Sequence, residues 1–149
     1  MKKIFSLALL VATLMANDFG LGEEISSFTL ADQFEKDHIV SRSVETIIVS
    51  FEKDTGADMN EFLNTKNPKY LEERNAVFIA NISKMPGIIT KLFAMPKMKK
   101  YKHTILLIND EEDKRFAQEE EKITVYKLKN GVIEKINFVS SAQEVAKNL

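Results

Sequence analysis

Residues 49–63 read VSFEKDTGADMNEFL. The opening letters close a β-branched run, TIIVSF at residues 46–51, which is the pattern of a central strand buried on both faces. The closing letters put Met59, Phe62 and Leu63 on one side of a helix. Between them lies a short charged turn. The stretch therefore predicts strand, turn, helix. Asp54 or Thr55 is expected to cap that helix, and Thr55-x-x-Asp58 resembles a capping box with a shorter acid.

Further strands alternate with helical pieces on the C-terminal side. AVFIANI at residues 76–82 and TILLI at residues 104–108 are two more apolar strand runs. Asn67-Pro68 opens a helical piece reaching Arg74. Pro86 marks another helix start, followed by Ile88, Ile89, Leu92 and Phe93 at helical spacing. Asp110 to Ala117 reads as a charged turn with a short helix. Two strands, residues 123–128 and 132–139, flank Asn130-Gly131, a strong hairpin signal. Ser140 is expected to cap a closing helix. On the N-terminal side, ISSFTL and ADQFEKDHIV (residues 25–40) predict a hairpin turning near Glu35 to Asp37. Alternating buried strands and helices with an antiparallel end predict an α/β fold: a mixed sheet with helices on both faces.

The first residues read differently. Lys2 and Lys3 precede an apolar run from Ile4 to Leu14, and Ala16 offers a small residue for cleavage. This is the layout of a signal peptide, and the run is too short to span a bilayer. Residues 1–16 are thus expected to be a signal peptide and residues 17–149 a single exported, periplasmic domain. A retained N-terminal anchor is the alternative. Without residues 1–16 the chain carries a net charge of −3. That mild acidic balance gives no reason to expect nucleic acid or an anionic membrane surface as partner. The 149 residues include no cysteine, so an exported domain of this composition depends on its core for stability.

In this order the words FTLADQFEKDHIV, TIIVSF, AVFIANIS, TILLINDEEDKRFA and ITVYKLKNGVIEKINFV resemble the thioredoxin-like superfamily, in the branch of peroxiredoxins and TlpA-type thiol proteins. The resemblance covers roughly residues 25–149 and implies a thioredoxin-like mixed sheet, with an N-terminal hairpin and a C-terminal hairpin plus helix. It also locates a degenerate active site. With a one-residue deletion, Thr55, Gly56, Ala57 and Asp58 stand where TlpA-type proteins have Cys-Gly-x-Cys. The family's cis-proline would fall near Glu121 or Lys122, where no proline stands. A threonine hydroxyl is hardly ionised at neutral pH and cannot cycle through a disulfide.

Other chemistry has little support. His38 and His103 sit on different elements without metal-ligand spacing, and neither a Gly-x-Gly-x-x-Gly nor a Walker loop is present, so no metal and no cofactor are expected. KMKKYKH at residues 97–103 is a basic patch that could meet an acidic partner or simply be a solvated loop. Met85, Phe93, Met95 and Met98 could form a soft binding surface, although core packing accounts for most of them. The sequence thus predicts a binding or accessory domain for a protein or peptide partner, without thiol redox activity. Glu52, Lys53, Asp54 and Lys122 form its candidate surface. The alternative is a non-thiol enzyme working around Asp54, Thr55 and Asp58.

Overall fold

A computed structural model describes residues 19–149, so the expected cleavage after Ala16 lies outside the described residues. The chain opens with a hairpin of β1 (Phe28–Ala31) and β2 (Asp37–Val40). Its turn lies slightly earlier than the sequence predicts. Asp32 Oδ1 accepts the backbone N–H groups of Phe34 and Lys36, and Glu35 takes the left-handed conformation.

The main sheet follows: β3 (Thr46–Ser50), β4 (Ala76–Asn81), β5 (Leu106–Ile108), β6 (Ile123–Lys129) and β7 (Val132–Val139). Its spatial order is β5-β4-β3-β6-β7. Strands β3, β4 and β5 run parallel, while β6 and β7 pair antiparallel beyond β3. The centre is β3, all five of whose residues are buried, as its β-branched run requires. Asn130 (φ 52°) and Gly131 (φ 80°) make the left-handed turn between β6 and β7. A Cβ at Gly131 would come within 2.6 Å of Arg42 Nε, so both the conformation and the space call for glycine.

Three helical segments complete the fold. They are α1 (Lys53–Asn64), α2 (residues 87–98) and α3 (Ala142–Ala146). Met59 and Leu63 of α1, Met98 of α2 and Val145 of α3 all join one core cluster with Ile48, Phe78, Leu107 and Val125. The alternate strand residues Ile47, Val49, Ile79, Leu106 and Tyr126 form a second cluster. Among the described residues that second face is covered by Phe28, Phe116 and Phe19, whose rings pack at 5.3–6.0 Å, and not by a helix. The short helix expected within Asp110 to Ala117 is absent: Asp110 and Asp113 turn their carboxylates onto the backbone N–H groups of Glu112 and Arg115, which favours turns over a helix. The helical piece expected up to Arg74 shrinks to one 3₁₀ turn, Glu72–Arg74.

Segment α2 is irregular for a physical reason. Pro96 has no N–H for the carbonyl one turn earlier, and its ring would crowd that carbonyl. A wider π-turn, Thr90–Ala94, precedes it. Ile88, Ile89, Leu92 and Phe93 lie on helical turns as their spacing predicts, but that side of the segment is open. Ile88, Leu92 and Phe93 are 68%, 57% and 65% exposed, and it is Met98 that is buried. No helix among the described residues is long and apolar enough to cross a membrane.

Candidate functional site

The strand-turn-helix junction leads into a cleft of about 770 Å³. One wall comes from the end of β3 and the first turns of α1, with Ser50, Phe51, Glu52, Lys53, Gly56 and Ala57. The opposite wall comes from α2 and the segment before it, where Met85, Ile89, Phe93 and Met98 carry most of the apolar surface. Tyr101 and Asn60 also line the cleft. It therefore opens at the carboxyl ends of β3 and β4. Ligands of open α/β sheets bind in this region.

The polar groups at the position expected for a degenerate site are held in place by the fold. Residue Glu52, not Asp54 or Thr55, is the N-cap position of α1, and no side chain caps the helix. This corrects the capping-box expectation. Thr55 lies inside the first turn, 8% exposed, where its Oγ1 donates to Glu52 O at 3.2 Å. Asp58 faces α3: its Oδ2 accepts the Ala142 N–H at 2.8 Å. Gly56 approaches Ser50 closely, and a Cβ there would sit 3.3 Å from Ser50 Oγ. Ala57 lines the cleft, whereas Asp54 is exposed on the first turn.

Glu52 ties the strand-turn-helix junction to the turn before β6. Its Oε2 accepts the backbone N–H of Glu121 at 3.0 Å. Glu121 sits where the resemblance places the cis-proline, and it adopts a left-handed φ of 60°. The other carboxylate oxygen, Oε1, is buried and has no hydrogen-bond partner among the described residues. Lys122 turns away to donate to Ser140 Oγ at 2.7 Å. Of the four residues of the expected surface, Glu52 and Lys53 line the cleft and Asp54 and Lys122 do not. Ser141, not Ser140, caps α3 by accepting the Glu144 N–H at 3.2 Å.

Behind the cleft lies a buried polar network that the sequence did not reveal. The neutral His103 ring can donate its Nε2–H to Asn60 Oδ1 at 2.9 Å, and burial pushes its pKa down to about 4. Fully buried Gln33 donates to His103 O at 2.8 Å and accepts the Ile105 N–H at 2.9 Å. This fastens the N-terminal hairpin to the approach of β5. No group of three metal-ligating side chains comes together among the described residues. Of the soft surface that the sequence offered, Met85, Phe93 and Met98 line the cleft, and what the sequence did not announce is the exposure of the α2 wall. Its signal was present as two adjacent i, i+4 apolar pairs, Ile88–Leu92 and Ile89–Phe93, too wide a band to bury on so short a segment.

No protein-family model matches the chain, and no curated protein matches its sequence. Solved structures do match its shape. A putative protein disulfide isomerase from Bacteroides thetaiotaomicron aligns with a TM-score of 0.56 at 16% identity, over 87% of this chain and 86% of the other. StoA from Bacillus subtilis aligns with a TM-score of 0.55 at 12% identity, over 84% and 98%. Peroxidoxin BcpB from Mycobacterium tuberculosis aligns with a TM-score of 0.54 at 12% identity, over 87% and 93%. At these identities the likeness speaks to the fold alone. Strand order, both hairpins, the closing helix and these neighbours agree: the chain has the thioredoxin-like α/β fold, built without a single cysteine.

Proposed function

We propose that this chain is an exported thioredoxin-like domain that acts by binding an apolar segment of a protein or peptide in the cleft between α1 and α2, without thiol-disulfide exchange. The cleft is the observation that carries this reading. It opens beside the strand-turn-helix junction, and Phe51, Ile82, Met85, Ile89, Phe93 and Met98 make it predominantly apolar. Its size falls within the roughly 300–1,000 Å³ of ordinary ligand sites. With no thiol anywhere in the chain, no disulfide can form. An enzyme built on Asp54, Thr55 and Asp58 needs those groups to converge on a substrate. Asp58 is instead engaged with Ala142 and Thr55 with the Glu52 carbonyl. The export part of the proposal, with a mature chain working in the periplasm, is supported by the basic start, the apolar run and Ala16.

Insulin tests both halves of the reading. Intact insulin with dithiothreitol should precipitate no faster than in buffer when the protein is present. Fluorescently labelled, alkylated insulin B chain should bind saturably, read as anisotropy. Disulfide reduction above the buffer rate, or no saturable binding of the alkylated chain, would overturn the proposal. Export is checked by N-terminal sequencing of the periplasmic fraction from a bacterial host, with Asn17 as the expected first residue; an intact Met1 would contradict it.

A further inference from the structure

Residues 84–102 read KMPGIITKLFAMPKMKKYK. They hold Lys84, Lys91, Lys97, Lys99, Lys100 and Lys102 and not one acidic side chain, although the whole chain has a net charge of −1. The rest of the sequence therefore carries seven negative charges in excess. All six lysines are exposed. In the same segment Ile88, Ile89, Leu92 and Phe93 are exposed too, and they supply four of the seven large apolar side chains that the described surface leaves open. Ile89 and Phe93 line the cleft rim, whereas Ile88 and Leu92, one turn apart, stand outside it. Lys84 and Lys97 also line the cleft, while Lys91, Lys99, Lys100 and Lys102 stand outside it, so the outer side of α2 is an apolar ridge with cations along the same segment.

We infer that this ridge is a contact face for an anionic bilayer surface, with Ile88 and Leu92 entering the headgroup layer and the lysines lying on the lipid phosphates. An apolar stripe bordered by lysines on one segment is the pattern of an interfacial helix. The opposite charge on the remaining chain orients this face toward an anionic surface and turns the rest away. A protein partner's polar rim asks for directional hydrogen bonds. Thr90 is the one uncharged hydroxyl on the ridge between Ile88 and Phe93, and it is already bonded to the Pro86 carbonyl at 3.3 Å. Net charge concealed this, because an acidic average hides a local cluster of cations. The inference goes beyond the cleft reading and uses Ile88 and Leu92, which that reading does not.

The chain has no tryptophan, so one placed on the ridge reports only from there. Full-length Leu92→Trp is titrated with vesicles of zwitterionic lipid alone and with vesicles containing about one third anionic lipid. With the anionic vesicles the emission should shift to the blue and saturate, and it should reverse as salt rises, since exposed charges are screened. Apparent affinity should be roughly ten-fold or more above that for zwitterionic vesicles, given the contribution of each lysine at such a surface. In sedimentation with the same vesicles, Ile88→Glu with Leu92→Glu should lose roughly ten-fold in binding. The near-ultraviolet circular dichroism of that variant should be unchanged, because both side chains are exposed. Equal affinity for the two vesicle types, no blue shift, or unchanged sedimentation of the double variant would overturn the inference. The last result would assign any vesicle binding to a part of the chain other than the ridge. Binding to polyglutamate beads without binding to vesicles would overturn it in favour of an acidic protein partner.

Discussion

The Glu52 carboxylate accepts the backbone N–H of Glu121 at 3.0 Å, joining the start of α1 to the turn before β6. One of its oxygens is engaged; the other is buried with no partner among the described residues. Removing the charge while keeping an acceptor should therefore cost little. Glu52→Gln is expected to change stability by less than about 0.5 kcal/mol or to raise it, because an unpaired buried carboxylate oxygen carries a desolvation penalty. Glu52→Ala removes the tie to Glu121 and should cost about 0.5–1.5 kcal/mol. Urea denaturation of the two variants checks the order, and a Gln variant weaker than the Ala variant would refute it.

Asp58 has a structural task that its place in the sequence did not suggest. It supplies an acceptor for the first N–H of α3, while Ser141 supplies one for Glu144. Helix starts leave such donors open, and a charged acceptor there also suits the helix dipole. Asp58→Ala should cost about 1–3 kcal/mol, as loss of a charged partner to a partly buried N–H does. Asp58→Asn should recover about half. The amides of residues 142–145 should exchange hydrogen faster in the Ala variant, which separates a docking role from a purely local helix effect.

His103 gives the fold an acid sensitivity. Burial holds its pKa near 4, below the ordinary 6.5. Between these values the unfolded chain takes up a proton that the folded chain refuses, so stability falls as pH drops from about 6.5 toward 4. The full window corresponds to roughly 3 kcal/mol. Carboxylates add their own dependence at the acid end, so the informative quantity is a difference. His103→Gln should have a flatter stability profile between pH 6.5 and 4 than the parent, although it is less stable at pH 7. Parallel profiles would show that His103 does not titrate in the way its burial implies.

The sheet was legible in the sequence because β-branched runs and Asn130-Gly131 are local signals. Each strand run of the main sheet recurs in the structure with its ends moved by two residues at most. What the sequence hid was set by contacts distant along the chain. The engagement of Asp58 depends on Ala142, 84 residues later, and that of Glu52 on Glu121, 69 residues later. Thr55 looked like a cap because threonine favours that place. The helix begins at Lys53 instead, and the Thr55 hydroxyl bonds back to the turn from inside it. Phe93 and Leu92 shared the helical period of core residues, yet Pro96 and the π-turn before it leave that side of α2 open. Periodicity reports which side chains share a face, and not whether anything covers it.

The most direct measurement of the binding role is a map of where an apolar chain sits. Isotope-labelled full-length protein is titrated with alkylated insulin B chain, and amide chemical-shift changes are followed. The predicted result is a saturating set of changes at Phe51, Lys53, Gly56 and Ala57 on one wall and Met85, Ile89, Phe93 and Met98 on the other, weakened when Ala57→Arg narrows the cleft. Saturating changes confined to the hairpin face around Phe28 and Phe116, or a map indifferent to Ala57→Arg, would contradict the cleft as the site of function.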